Sequence, residues 1–458
     1  MVSFSRHRSP PTVPGVRLTR GPNCLKEPFR AVRANPGWSV SAPSAALSLA
    51  FVCLLLVSCG ERERSNPLDP LNPATGGAPP GFAAVALDGE VELRWSPLHL
   101  SGLTGFNIYR AERTEREPRL AELVEGSPFP AYSDGATDSS VMNGITYDYS
   151  LVPLIRDYGE GTPSQPVSAT PGPHFAVATD GWAGVVRKFS ADMRASVWTA
   201  GGLYYPFSVA SDGKDLWVTD LYGGLLRLSG DGTFAWRATG FLLPVWVSVR
   251  PNGRSAVADP VLGTVTTLSP EGEVETTISE ALQQPSCVTF GPQGELWVAD
   301  PGAGCVNKYL ASGVLLKSFT RCVGPGLLDV DTTDGACWVG DVVAAELVKL
   351  SADGDELARV ASFSSVSAVE VDEYEGGCWV ADAEREEITR VWSDGQIAFR
   401  LGRIGRIVHI HVTKDDGSVW LADEKGGRLL ALTRGGKMLS STTSVVKPTS
   451  LLVLRENQ

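Results

Sequence analysis

From about residue 78 onward, the chain alternates short apolar runs with turn-forming residues. In segment 89–97, Val91, Leu93 and Trp95 occupy every second position, so they would share one face of a strand. Gly, Asp, Asn and Pro separate such runs, and no long stretch repeats with the period of a helix. The pattern therefore predicts an all-β protein.

A short apolar motif that ends in Asp recurs at a nearly constant interval along the chain. The Asp residues are separated by 40, 39, 41, 41, 41 and 41 positions. They are Asp180, Asp220, Asp259, Asp300, Asp341, Asp382 and Asp423. Each unit contains four short strand-like runs, which is typical of a propeller blade. The first unit lacks an inner strand, and segment 447–454 resembles that strand, so we expect a seven-bladed β-propeller over residues 174–454, closed by its C-terminal strand.

Two parts of the chain resemble known families. Residues 78–171 resemble a fibronectin type III domain through an APPG entry, Trp95, the F-x-I-Y-R strand at 106–110, and Tyr147 with Tyr149. The propeller repeat, with Pro-x-x-apolar, Trp-Val-x-Asp and then G-x-x-x-x-L-S-x-D-G, resembles the NHL family. The expected fold is thus a seven-bladed NHL-like β-propeller preceded by a fibronectin type III-like β-sandwich. The sandwich is interpreted as a spacer, with an adhesion module as the alternative.

The N-terminal segment has the features of an export signal. Residues 1–44 carry seven Lys or Arg and one acid, and residues 45–60 are uncharged. This apolar run is shorter than the about 20 residues that span a bilayer and suits a signal peptide. Its end, Leu-Val-Ser-Cys at 56–59, resembles a bacterial lipobox, which implies cleavage before Cys59 and a lipid on its sulfur.

We therefore expect three consecutive segments before the sandwich. Residues 1–58 would be a lipoprotein signal peptide, whose long n-region allows a start codon downstream of Met1. Residues 59–77, rich in Pro and Gly, would form a flexible tether. Gly60 after the cysteine implies an outer-membrane destination. An ordinary signal peptide with a chance cysteine is the alternative.

The charge balance bears on the class of partner. The net charge is −12, and it becomes −18 for residues 59–458 once the basic leader is removed. Such an acidic chain repels phosphate backbones and argues against nucleic-acid binding. Basic, neutral or cationic partners are favoured instead.

Polar side chains on the predicted inner strands are the candidate chemistry. His409 and His411 would lie on one face of an inner strand near the channel, as metal ligands or bases. Four acids on inner strands could form a polar funnel for a cation or a small cationic ligand; these are Asp329, Asp331, Glu370 and Asp372. No cofactor is predicted. The sequence contains no nucleophile elbow, phosphate loop or zinc-protease motif.

The repeated Asp and Trp residues have a structural interpretation. Asp favours turns by accepting backbone N–H groups, and one Asp per blade would not converge on a metal. The Trp residues of the same strands are expected between blades; they are Trp217, Trp297, Trp338, Trp379 and Trp420. Cys305 and Cys322 are predicted on one face of the disc, where a disulfide is plausible.

The function expected is that of a membrane-anchored binding scaffold without catalysis, for a protein, peptide or glycan. The alternative is a propeller lyase or hydrolase, metal-dependent or not, with its site at the channel near His409 and His411.

Overall fold

The computed structural model describes residues 65–113 and 121–455. The predicted signal peptide (1–58), Cys59 and the start of the predicted tether (59–64) lie outside the described residues. In the described part, the regular secondary structure consists of strands, without a helix. A helix of the length and hydrophobicity needed to cross a membrane is accordingly not found in this part.

Residues 65–77, the described end of the predicted tether, form consecutive turns. Asn72 Nδ2 donates to the Asn66 carbonyl over 2.9 Å, and Asn72 Oδ1 accepts the Ala74 N–H over 2.9 Å. Asn72 and Leu68 are buried. This segment is therefore folded, in contrast to the predicted flexible tether.

Two antiparallel sheets follow; we call them together the N-terminal module. Its strands are β1 (Ala83–Ala86), β2 (Val91–Arg94), β3 (Leu103–Glu112), β4 (Glu122–Leu123), β5 (Phe129–Pro130), β6 (Gly135–Asp138), β7 (Tyr147–Ile155), β8 (Gly159–Glu160) and β9 (Val167–Ala169). One sheet has the order β1-β2-β6, and the other has the order β4-β3-β7-β8, with β5 on β3 and β9 on β7. Val91, Leu93 and Trp95 are buried in one core with Phe106, so the predicted alternation is confirmed.

The rest of the chain forms seven four-stranded antiparallel sheets. Sheet 1 contains β10 (His174–Asp180), β11 (Val185–Phe189) and β12 (Ser196–Ala200). Sheet 2 is β13 (Pro206–Ser211), β14 (Leu216–Asp220), β15 (Gly224–Leu228) and β16 (Phe234–Ala238). Sheet 3 is β17 (Trp246–Val249), β18 (Ser255–Asp259), β19 (Thr264–Leu268) and β20 (Val274–Ile278). Sheet 4 is β21 (Cys287–Phe290), β22 (Leu296–Asp300), β23 (Cys305–Tyr309) and β24 (Leu315–Phe319).

The remaining sheets have the same layout. Sheet 5 is β25 (Pro325–Val330), β26 (Cys337–Asp341), β27 (Glu346–Leu350) and β28 (Glu356–Val360). Sheet 6 is β29 (Val366–Val371), β30 (Cys378–Asp382), β31 (Glu387–Val391) and β32 (Ile397–Gly402). Sheet 7 is β33 (Ile407–Val412), β34 (Val419–Asp423), β35 (Arg428–Leu432) and β36 (Met438–Thr442). The final strand is β37 (Pro448–Arg455).

The last strand closes these sheets into a ring. β37 pairs antiparallel with β10, with Val453 opposite Ala176 and Ser450 opposite Thr179, so it is the inner strand of sheet 1. The inner strands β13, β17, β21, β25, β29, β33 and β37 each contact the next one, and β37 contacts β13. The C-terminal segment thus supplies the strand that the first unit lacks.

Tryptophan and a basic side chain join neighbouring sheets. Trp297 is fully buried and belongs to the same core cluster as Val339 and Val348 of sheet 5. The Lys308 ammonium lies 4.7 Å from the centre of the Trp297 ring and donates to the Ala352 carbonyl of sheet 5 over 3.0 Å. The expected position of the Trp residues between sheets is therefore confirmed.

The turns of the sheets lie on two faces of the ring. The face with the turns between second and third strands, and the linkers into the inner strands, is called here the Asp face; the other is the opposite face. The N-terminal module contacts the opposite face at the turn between β11 and β12. There, the Ala191 N–H donates to the Ala86 carbonyl over 3.1 Å, and Asp192 Oδ2 accepts the Thr170 N–H over 3.1 Å. The Asp face is thus on the side away from these contacts.

Candidate functional site

The seven repeated Asp residues are buried, with at most 1% of each residue exposed. Asp300 accepts the N–H groups of Gln283 (2.6 Å) and Gln284 (2.9 Å) from the linker and of Ala303 (2.9 Å) from its own turn. The other six also bind linker N–H groups. Because each carboxylate serves its own sheet, the seven groups do not converge, and the structural interpretation is confirmed.

The inner strands surround a central channel that opens at the Asp face. A cavity of about 420 Å³ lies there, and we call it the mouth cavity. Residues on or directly before all seven inner strands line it, and its walls are mostly apolar. Its apolar and aromatic wall includes Phe207, Trp246, Leu327, Val408 and His409, and Ser286 and Ser367 contribute hydroxyl groups.

A second cavity of about 740 Å³, called here the rear cavity, lies toward the opposite face. Glu370 and His411 line it, and so do His174 and Asp415 near its rim. Its walls are more polar than those of the mouth cavity. The channel therefore offers two chemically different ends.

His409 and Trp246 line both cavities. Their rings stack with centroids 5.8 Å apart and 28° between the planes. Burial lowers the pKa of His409 to about 4; the charge of Glu370 opposes this shift, and His411 adds to it. His409 is therefore a neutral imidazole at pH 7.

Three polar residues occupy the same register on consecutive inner strands, each opposite the Trp of its second strand: Asp329, Glu370 and His411. His411 Nδ1 lies 3.4 Å from Glu370 Oε1. Asp329 Oδ2 instead accepts the Val371 N–H over 2.8 Å. Burial, and then the charge of Glu370, raise the pKa of Asp329 well above its usual range. The structure thus brings four predicted residues, these three and His409, to one sector of the channel.

Asp331 and Asp372 lie apart from this sector, in turns on the opposite face. Asp331 Oδ1 accepts the Thr333 N–H over 2.9 Å. Asp372 Oδ1 accepts the Tyr374 N–H over 3.2 Å, and its Oδ2 lies 2.9 Å from Arg390 Nη2. Neither residue lines the mouth cavity or the rear cavity, so the expected polar funnel contains only part of the predicted set.

The predicted disulfide between Cys305 and Cys322 is wrong for this structure, in which both are free, buried thiols. Cys305 Sγ donates to Asn307 Oδ1 over 3.5 Å within its own strand. Cys322 packs in the apolar cluster between sheets 4 and 5 together with Cys287. Burial raises the pKa of the Cys322 thiol to about 12, so it remains protonated. The two sulfurs therefore lie in different environments.

One cluster of possible metal ligands was not predicted. His174 Nε2 lies 2.9 Å from Asp415 Oδ1, and His174 Nδ1 lies 3.7 Å from Asp416 Oδ2. Their ligand atoms are within 4.8 Å of one another, a donor set that suits a divalent cation. Arg455 Nη1 already pairs with Asp415 over 3.0 Å. Because more than 240 positions separate His174 from the acids, only the closure by β37 brings them together.

Trp246 is a further channel residue that sequence reasoning missed. It stands opposite Ala258 just as His409 stands opposite Ala422, and both alanines directly precede the repeated Asp. Trp246 lies 13 positions before its Asp and His409 lies 14 positions before its own, so alignment of the sequence by the Asp alone does not superpose them, and the strand pairing is needed to reveal the shared register.

The sequence matches no protein family and no curated protein. A protein of unknown function from Desulfotomaculum acetoxidans is similar in structure, with a TM-score of 0.54, 13% identity, and coverage of 61% of this chain and 99% of that one. A candidate 6-phosphogluconolactonase of Bacteroides fragilis has a TM-score of 0.51, 14% identity, and coverage of 62% and 98%. Streptogramin B lyase has a TM-score of 0.48, 15% identity, and coverage of 54% and 86%. At these identities the likeness to the first two structures, whose TM-scores exceed 0.5, concerns the fold alone, and it supports the predicted β-propeller.

Proposed function

We propose that this chain is an exported, lipid-anchored binding scaffold without catalytic activity. In this proposal, residues 78–171 form a fibronectin type III-like spacer, and residues 174–454 form a seven-bladed NHL-like propeller. The lipid on Cys59 would hold it at the outer membrane. The mouth cavity would bind part of a protein, peptide or glycan.

The shape and chemistry of the mouth cavity support this proposal. Its about 420 Å³ lies within the range of roughly 300–1,000 Å³ that is usual for ligand pockets. The hydroxyls of Ser286 and Ser367 donate to the carbonyls of Gly326 (2.8 Å) and Ile407 (2.7 Å). Because these serines serve the contacts between inner strands, neither is arranged as a nucleophile.

A substitution that fills the mouth cavity tests the binding role. Leu327 lies at the same register as Trp246, so Leu327→Trp adds a ring where a neighbouring sheet already carries one. Ligands would be selected with the purified full chain from a random-peptide phage library and a glycan array. We expect Leu327→Trp to weaken binding at least about tenfold. Equal binding by the wild type and this variant would refute the channel as the site.

The anchor has its own test. Cys59→Ala removes the acceptor of the lipid, so the variant is expected in the fraction released from membranes. A Ser58→Ala variant, which keeps the cysteine, serves as control. Retention of Cys59→Ala on membranes would contradict the anchor.

A propeller lyase or hydrolase is the second candidate. The observation that favours it is the close pair of His411 and Glu370 beside the rear cavity. Metal analysis and assays with lactone, ester and lyase substrates are expected to be blank under the binding proposal. Turnover or stoichiometric metal that is lost in the His409→Ala/His411→Ala variant would establish the enzyme instead.

A further inference from the structure

The two faces of the ring differ strongly in charge. The turns of the opposite face carry seventeen acidic and seven basic residues. The loops of the Asp face carry six basic and four acidic residues. The net negative charge of the chain therefore does not extend to the Asp face.

The Asp face also exposes a set of large apolar side chains. Trp182, Tyr204 and Tyr222 are 72%, 68% and 72% exposed. Seven aliphatic residues on the same face are 41–66% exposed; they are Leu242, Val261, Leu262, Val323, Val342, Val343 and Val446. We call these ten residues the apolar ring. They lie in the loops and linkers of sheets 1 to 5 and in the linker after sheet 7.

The apolar ring is continuous with the mouth cavity. Tyr205 and Pro260, which line that cavity, are next in sequence to Tyr204 and Val261. The Lys447 ammonium lies 5.9 Å from the centre of the Trp182 ring and 6.0 Å from that of Tyr205. The apolar ring therefore adjoins the mouth cavity at these points.

The size of this surface fits a protein partner. The three aromatic side chains leave on the order of 400 Å² exposed, which already matches the largest apolar patch of many monomers, roughly 300–600 Å². The aliphatic side chains bring the total near the ~800 Å² that each partner buries in a standard interface. Exposed Trp and Tyr are also the residues that most often dominate binding energy.

Basic side chains beside the mouth cavity define the chemistry of the partner. Lys425 and Arg406 have 69% and 56% of their side chains exposed. Lys425 pairs with Glu386 over 2.5 Å, while Arg406 (3.7 Å) and Lys447 (3.1 Å) share the single acid Glu424. Two basic groups around one carboxylate leave an attractive position for an acidic residue of the partner.

We propose that the Asp face docks a polypeptide with a large apolar side chain flanked by acidic residues. This inference rests on the proposed binding function and names its partner class. The apolar side chain enters the mouth cavity, and its flanking residues contact the apolar ring and the basic side chains. A second copy of this chain fits less well because two such faces would meet with both cavities empty. A membrane surface fits less well for the same reason, since it presents no projecting side chain.

Peptides selected from the phage library on the purified full chain test the docking surface. Binding of each synthetic peptide would be measured by fluorescence polarisation. The test variant is Trp182→Ser/Tyr222→Ser/Val343→Ser. The matched control is Phe234→Ser/Leu316→Ser/Leu439→Ser, which removes side chains that are 59%, 49% and 56% exposed on outer strands. Co-sedimentation with phosphatidylglycerol vesicles and molar mass by light scattering are measured on the same samples.

We expect selected peptides to carry a large apolar residue beside Asp or Glu. They should bind the outer-strand control like the wild type and the ring variant at least about tenfold more weakly. Basic peptides, no selected peptides, or equal binding by the ring variant would overturn the proposal. Vesicle binding or a doubled mass that the ring variant alone loses would assign the face to a membrane or to self-association. Peptides sensitive to Leu327→Trp but not to the ring variant would refute this inference and leave the proposed function standing.

Discussion

Asp300→Ala tests whether the repeated Asp residues act as backbone clamps. Asp300 is fully buried, and its carboxylate holds three N–H groups, two from the linker that enters β21 and one from the following turn. Alanine removes all three acceptors at once. Asp300→Asn keeps one oxygen but places an amide donor against the Gln283 N–H, which lies 2.6 Å from Oδ2.

The magnitude follows from the number of lost bonds. A hydrogen bond to a charged group contributes about 1.5–3 kcal/mol. Water can reach the linker partly, so we expect Asp300→Ala to lower the free energy of unfolding by about 3 kcal/mol. Asp300→Asn loses one bond and is expected to cost about half as much. Asp353→Ala, at an exposed position of sheet 5, should change stability by less than about 0.5 kcal/mol.

Urea unfolding followed by both tryptophan fluorescence and circular dichroism measures these differences. Coincidence of the two transitions shows whether a single free energy applies. The expected order of stability is wild type and Asp353→Ala, then Asp300→Asn, then Asp300→Ala. An equal free energy of unfolding for Asp300→Ala and Asp353→Ala would refute the role of Asp300 as a clamp. Equal losses of unfolding free energy for Asp300→Ala and Asp300→Asn would assign the effect to the charge of Asp300.

Three further predictions concern the sheets, the channel and the cysteines. Lys308→Met keeps contact with Trp297 but loses the bond to sheet 5 and the ion pair with Glu295, 3.4 Å away; we expect a loss of about 2 kcal/mol in urea unfolding, more than for the exposed Lys437→Met. The folded pKa of His409, about 4, lies below the about 6.5 of an unfolded histidine. Its contribution of up to about 3 kcal/mol is therefore present above pH 6.5 and lost as the pH falls toward 4. His409→Phe should weaken the pH dependence of unfolding in that window, and an unchanged dependence would contradict it. Alkylation without reductant, read by mass spectrometry, should modify Cys305 and Cys322 only after unfolding, and a linked peptide would contradict their free state.

The regular features of the ring could be predicted from the sequence because each repeats. The spacing of the Asp residues fixed the second strand of every unit, and the similarity of 447–454 to other inner strands predicted the closure through β37. Contacts that depend on one particular side chain could not be predicted in this way. Cys305 and Cys322 lie on one face in a schematic meander, yet the surroundings of each sulfur differ. Asp331 is a second example. It lies one residue after β25, and its carboxylate accepts a backbone N–H of the turn instead of facing the channel.

The net charge of the whole chain is a poor guide to the partner of one face. A net charge of −12 favours basic or cationic partners only if the charge is evenly spread. In the ring, the acid-rich hairpins between first and second strands, and the x-Asp-Gly turns other than that at Asp180, lie on the opposite face. The loops of the Asp face carry more basic than acidic residues, and the exposed Trp182 and Tyr222 each lie two residues after a repeated Asp. An acidic partner on the Asp face is therefore compatible with an acidic protein, and the acidic face would disfavour the wrong orientation.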